Sequence, residues 1–72
     1  MTKKEKMIKI IRDIDIGIAI TFCTHIKNYN LSLRQIIKRA IDLKEDFKKA
    51  KMEAIAKKFH KLINKLVNIY FE

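Results

Sequence analysis

The sequence predicts a mainly α-helical protein with one short strand near its N-terminus. Apolar residues recur at helical spacing after Ser32 and again towards the end of the chain. With no proline and a single glycine, little interrupts these helices. The first part of the chain is instead dominated by β-branched isoleucine, which favours strands. A length of 72 residues makes one small domain, 1–72, that buries too little surface to be comfortably stable alone.

The N-terminal segment admits two interpretations. Thr2 and Glu5 have the spacing of a capping box that could open a long helix reaching Asn28. The isoleucine-rich stretch Ile8 to Ile14 is equally plausible as a strand. The residues alone leave both interpretations open.

A helix is predicted after this strand, from about Ile16 to Lys27, with Asp13 or Asp15 as its N-cap. Its apolar residues nearly encircle it, so it must be covered on more than one side. A dimer partner or an additional helix would both provide such cover. The apolar residues are Ile16, Ile18, Ala19, Ile20, Phe22, Cys23 and Ile26.

The next helix has the clearest start signal in the chain. Asn28 and Asn30 mark a turn, and Ser32 with Gln35 fits an N-cap with a capping box. Apolar residues then follow at helical spacing. They are Leu33, Ile36, Ile37, Ala40, Ile41, Leu43 and Phe47.

A last helix is predicted from about Met52 to Tyr70. The apolar stripe loses phase between Ala50 and Ala56, which either one bent helix or two separate helices would explain. Lysines line one side of this helix, namely Lys57, Lys58, Lys61 and Lys65. This pattern is typical of a solvent-facing side on a core-covering helix, and it also fits a partner-binding helix or a membrane-surface peptide.

Composition favours binding over catalysis. Lys and Arg total 17 against 8 acidic residues, a net charge of +9, and such a surplus favours nucleic acid as a partner. The single Cys23 excludes an internal disulfide and, with only two histidines in the chain, a zinc site is not expected. We find no phosphate loop and no nucleophile paired with a base, so we expect no enzyme, no metal and no cofactor.

The apolar run before Lys27 is too short to span a bilayer and lacks a cleavage site, which predicts an intracellular protein.

The segment Leu31 to Ile41 resembles the second-helix signature of the ribbon-helix-helix family of dimeric DNA-binding proteins: a capping serine, paired aliphatics and then Ala-Ile. Phe22 and Ile26 fall where the family places first-helix core residues, and Asn30 sits at its usual turn glycine. The resemblance favours the strand interpretation of Ile8 to Ile14 and implies a ribbon-helix-helix core over residues 8–50. The additional C-terminal helix, 51–72, is similar to that of elaborated members from archaeal viruses.

The resemblance also implies a function. Two chains would pair their strands into an antiparallel ribbon that reads the major groove of double-stranded DNA, as a homodimeric, sequence-specific transcriptional regulator. Three groups of residues are expected to touch DNA: Lys6, Lys9, Ile11, Arg12 and Asp13 at the groove; Leu31, Ser32 and Leu33 at a phosphate; Lys3, Lys4, Arg34 and Lys38 along the backbone. The alternatives are an all-helical module that binds a protein such as a toxin through its C-terminal helix, and a cationic membrane-surface peptide.

Overall fold

The computed structural model describes residues 1–14 and 16–72, which form four α-helices. They are α1 (Lys3–Ile11), α2 (Ile16–Tyr29), α3 (Leu33–Lys49) and α4 (Glu53–Tyr70). The helices surround one core in the order α1, α2, α3, α4. Surface grooves separate α2 from α3, α3 from α4 and α4 from α1, and another runs along α2 beside Arg12, the residue that follows α1. Helices α2 and α4 therefore lie diagonally opposite each other.

The predicted N-terminal strand is wrong, and with it the two-stranded ribbon, since no strand occurs in the described residues. Residues 8–11 are instead the end of α1, and 12–14 form a turn. Thr2 and Glu5 make the capping box that starts α1, with each side chain bonded to the other residue's backbone N–H. Met7 and Ile11, one turn apart, are fully buried in the core. Burial on a helix face thus outweighs the strand preference of isoleucine, a preference that depends strongly on context.

Helix α2 begins at Ile16, as expected, and continues to Tyr29, two residues beyond the predicted end. One of its two predicted caps, Asp15, lies outside the described residues. Four side chains of α2 are buried in the core: Ala19, Phe22, Cys23 and Ile26. Only part of its nearly all-apolar circumference is therefore covered by the other helices.

The predicted turn and start of α3 are confirmed. Asn30 adopts a left-handed conformation (φ 46°), which asparagine tolerates better than most residues. The Ser32 backbone N–H donates to Gln35 Oε1 at 2.8 Å, and the Gln35 backbone N–H donates to Ser32 Oγ at 3.3 Å. This reciprocal capping box satisfies two of the free N–H groups at the start of α3.

The C-terminal half forms two helices rather than one bent helix. Lys51 takes a left-handed conformation (φ 60°) between α3 and α4, which breaks the helix without a glycine. The backbone N–H of Met52 donates to the Phe47 carbonyl at 2.9 Å and closes the turn. The observed α4 starts one residue after the predicted Met52 and ends at the predicted Tyr70.

All four helices supply side chains to the core. The largest that are fully buried are Phe59, Met7, Ile11, Ile26, Ile36 and Leu66. The rings of Phe47 and Phe59 stack at 5.5 Å between α3 and α4. Helix α4 is thus part of the same core as the other three and holds its lysine-bearing side out to solvent.

Candidate nucleic-acid interface

The solvent side of α4 concentrates positive charge. Phe59, Leu62 and Leu66 bury one side of this helix at three- and four-residue spacing, which leaves the opposite side exposed. That side carries four lysines, and α4 has one acidic residue, Glu53, in its first turn. We call this surface the basic face of α4, made of Lys57, Lys58, Lys61, Asn64, Lys65 and Asn68, all exposed.

The spacing on this face places like groups in rows along the helix. Lys57, Lys61 and Lys65 are one turn apart, so their Cα atoms rise by about 6 Å at each step. Asn64 and Asn68 are also one turn apart and lie beside that row. The 18 residues of α4 give a rod about 27 Å long. The basic face is therefore a straight surface with hydrogen-bond donors along most of its length.

Helix α3 extends the positive surface on one side. Lys44 and Lys48 line the groove between α3 and α4, opposite Lys57 and His60. Lys44 Nζ lies 3.4 Å from His60 Nδ1 across this groove. Glu53 is the acidic residue in this groove. The α3 lysines stand where they could flank a bound polyanion.

On its other side the basic face borders α1. The groove between α1 and α4 is lined by Ile10, Ile14 and Asp13 from the N-terminal part of the chain. Lys58, Lys61 and Lys65 line its α4 side. Positive charge therefore predominates in this groove as well.

The α4 lysines have no carboxylate partner within the described residues. The one ion pair there joins Lys6 Nζ and Glu72 Oε2 at 3.1 Å, at the far end of α4 from Lys57. Uncompensated ammonium groups held by a folded helix produce a local positive potential that attracts polyanions. The basic face thus has both the charge and the freedom to bind an external anionic partner.

The lysines expected at the N-terminus are used differently. Lys3 Nζ donates to the main-chain oxygens of Tyr70 at 3.1 Å and Glu72 at 2.7 Å, so it satisfies carbonyls at the C-terminal end of α4. Lys6 pairs with Glu72, and Lys4 Nζ donates to Asn30 Oδ1 at 3.0 Å. These side chains tie α1 to the end of α4 and to the α2–α3 turn.

The remaining predicted residues do not come together at one site. Ile11 is fully buried and has no surface with which to contact DNA. Leu31 and Leu33 are half-buried against the core, and the Ser32 side chain accepts the Gln35 N–H as a cap. The exposed residues among them lie in two separate places. Lys9, Arg12 and Asp13 lie at the end of α1 and in the turn after it, and Arg34 and Lys38 lie in the first half of α3.

The sequence predicts the α4 lysines mainly as a solvent-facing side and does not place them among the DNA-contacting residues. Their row spacing and the absence of acidic residues between Glu53 and Glu72 were the signals that could have placed them in the candidate site. No group of histidine, cysteine and acidic side chains in the described residues could hold a metal ion. In the same part of the chain, no helix combines the length and the apolar character needed to cross a membrane.

Comparison with protein-family models, curated proteins and solved structures finds no match to this chain. The candidate function therefore depends on the geometry and charge of the four-helix bundle itself.

Proposed function

We propose that this protein binds double-stranded DNA by placing the basic face of α4 in the major groove. The observation that carries the proposal is the row of unpaired lysines on α4, accompanied by two exposed asparagines. The role is that of a sequence-specific DNA-binding protein, such as a transcriptional regulator. The recognition element is a helix and not a ribbon.

The dimensions favour duplex DNA over duplex RNA. The major groove of B-DNA, about 12 Å wide, admits an α-helix. The major groove of RNA is deep and narrow, and side chains cannot read it. Because the lysines and asparagines share the exposed side of one helix, the helix must enter a groove for all of them to make contact.

The side chains suit two kinds of contact. Asparagine can bond the N6 and N7 edge of adenine, and lysine can bond O6 and N7 of guanine, so Asn64, Asn68 and Lys61 have base-reading chemistry. Lys44 and Lys48 on α3 lie beside the face and suit phosphates, which position a protein without reading sequence. A central reading row with flanking cations is the arrangement that groove binding requires.

The membrane-surface alternative has less support in this fold. A helix lying on a bilayer inserts its apolar side among the lipids. The apolar side of α4 is occupied, since Phe59 and Leu66 are fully buried against the other helices. Membrane binding through α4 requires the bundle to open, whereas DNA binding uses the surface that is already exposed.

Fluorescence anisotropy on dye-labelled DNA tests the proposal. The comparison uses a duplex selected from a random pool, the random pool itself, single-stranded DNA and duplex RNA. We expect the tightest binding on the selected duplex, with a preference that survives about 200 mM salt because base contacts depend less on counterion release.

Replacing Asn64 and Asn68 by alanine is expected to reduce the preference for the selected duplex and to leave binding to the random pool almost unchanged. The matched control is Asn28→Ala, an exposed asparagine on α2. Equal binding to every nucleic acid at all salt concentrations would reject sequence-specific recognition. No binding to duplex DNA at about 50 mM salt, where electrostatic attraction is strong, would reject the proposal and favour a protein partner.

A further inference from the structure

Helix α2 exposes an apolar strip that the bundle leaves uncovered. Ile16 is 78% exposed and Ile20, one turn later, is 62% exposed. Ala19 and Cys23 form the buried floor of the groove beside them, with Arg12 and Lys27 at its edges. We call this surface the α2 face, made of Ile16, Ile20 and the groove they border.

The α2 face is also nearly free of charge. The sequence has no Asp, Glu, Lys or Arg from Ile16 to Ile26, although the chain carries a net charge of +9. Helices α1, α3 and α4 each carry at least four basic residues. In a two-fold contact the same patch meets itself, so a lysine-rich face would oppose its own charge. The α2 face has charges only at the edges of its groove, Arg12 and Lys27, so it is where two copies of so basic a chain can meet with the least repulsion.

The total accessible surface of the chain is larger than its mass predicts, which agrees with a face that is left uncovered. The chain exposes 5126 Å², whereas a monomer of 8.6 kDa is expected to expose about 4,700 Å². Standard interfaces bury about 800 Å² from each partner. Helix α2 has 14 residues and is about 21 Å long, so it reaches that area only together with its flanking grooves. Burial of α2 together with these grooves would give an interface close to the standard size, so we expect the amount of dimer to depend on protein concentration.

We infer that a second copy of this chain docks on the α2 face, and that the resulting dimer joins two separate DNA duplexes. The first part rests on the exposed isoleucines and on the low charge of the face. The second part rests on the proposed function and on the position of α4, which lies diagonally across the bundle from α2.

The geometry of a two-fold contact fixes where the two basic faces point. When a two-fold axis places one α2 face against its copy, the axis lies in the plane of contact. The direction in which the α2 face points in one copy is therefore opposite to that in the other copy. Since α4 lies on the opposite side of the bundle from α2, its basic face points away from the contact plane in each copy. The two basic faces therefore point in opposite directions and cannot lie along one straight duplex. The dimer bridges duplexes instead of covering a palindromic site.

A two-duplex capture assay tests the inference with the full chain. One duplex is biotinylated and held on beads, a second carries a dye, and the dye retained on the beads reports bridging. The wild-type protein is expected to retain the second duplex with a steep dependence on protein concentration. Anisotropy on a single duplex reports DNA binding separately, and light scattering after size exclusion gives the mass in the absence of DNA.

The informative variant is Ile16→Ser with Ile20→Ser, which removes the apolar strip without changing charge. We expect it to raise the dimer Kd about tenfold or more and to abolish capture, with helical content and single-duplex binding retained. The matched control is Ile41→Ser, an isoleucine on α3 that is 42% exposed, and it should leave capture unchanged.

Four results would overturn the inference. They are a wild-type mass that stays monomeric at every concentration, a double variant that still dimerises, loss of capture in the Ile41→Ser control, and a dimer that binds one duplex without capturing another. Absence of any DNA binding would reject the proposed function as well, but the mass measurement would still decide whether two copies meet through α2.

Discussion

The replacement of Ile11 by valine separates the helical bundle from the predicted ribbon. In the bundle Ile11 is fully buried, so loss of one methylene leaves a small cavity that costs about 0.5–1.5 kcal/mol. In the ribbon interpretation the same side chain faces DNA, and its truncation would alter binding more than stability. The matched control is Ile16→Val, the same chemical change at a position that is 78% exposed.

The expected loss of stability is a measurable fraction of the total free energy of unfolding. A chain of 72 residues has a free energy of unfolding of about 4–11 kcal/mol, at about 0.05–0.15 kcal/mol per residue. For so small a protein the urea m-value is about 1 kcal/mol/M, so Ile11→Val should lower the midpoint by about 0.5–1.5 M. The control should stay within about 0.5 kcal/mol of wild type.

The assay is urea unfolding followed by circular dichroism at low protein concentration, where self-association contributes least. The reasoning would be refuted if Ile11→Val left the midpoint unchanged, or if Ile16→Val lowered it equally. A change in the m-value would instead indicate altered compactness of one of the two states, and the midpoints could then not be compared directly.

The other predictions concern caps, turns and charge. Ser32→Ala removes the α3 capping box and should cost about 0.5–2 kcal/mol in urea unfolding, whereas Thr21→Ala, on the exposed side of α2, should cost less. Lys51→Gly should stabilise the protein by about 0.5–1 kcal/mol, because glycine takes the left-handed conformation without a steric penalty; a fall in the midpoint would contradict this. Added salt should strengthen self-association, because it screens the repulsion between two chains of charge +9, and should weaken DNA binding. If sedimentation shows the dimer dissociating with salt, charges and not isoleucines hold it together.

Local signals in the sequence predicted the ends of elements well. Ser32 and Gln35 located the start of α3, and Asn30 located the turn before it, because capping and left-handed backbone are decided within a few residues. The capping box of Thr2 and Glu5 was just as local and was recognised. The isoleucine content and the resemblance to a known family favour a strand in the same segment, and that prediction is wrong.

Tertiary context accounts for what the sequence did not predict. Whether Ile8 to Ile14 became a strand or a helix depended on burial of Met7 and Ile11 against the other helices, which no local pattern contains. The residues of the candidate site differ from the predicted ones for a related reason. Lys3 Nζ donates to a main-chain oxygen at the C-terminal end of α4, whereas the α4 lysines are exposed because the apolar side of that helix is buried.

The most direct test of the account is the salt dependence of binding to duplex DNA. If the three α4 lysines other than Lys61, together with Lys44 and Lys48 of α3, neutralise five phosphates, log Kobs should fall against log salt with a slope of about −4.5. Lys57→Gln with Lys65→Gln should change that slope to about −2.7. Arg39→Gln with Lys49→Gln, an equal loss of charge from residues of α3 that do not line its grooves with α4, should leave it near the wild-type value. Equal slopes for the α4 variant and the wild type, or an equal change in the α3 variant, would contradict binding through the basic face of α4.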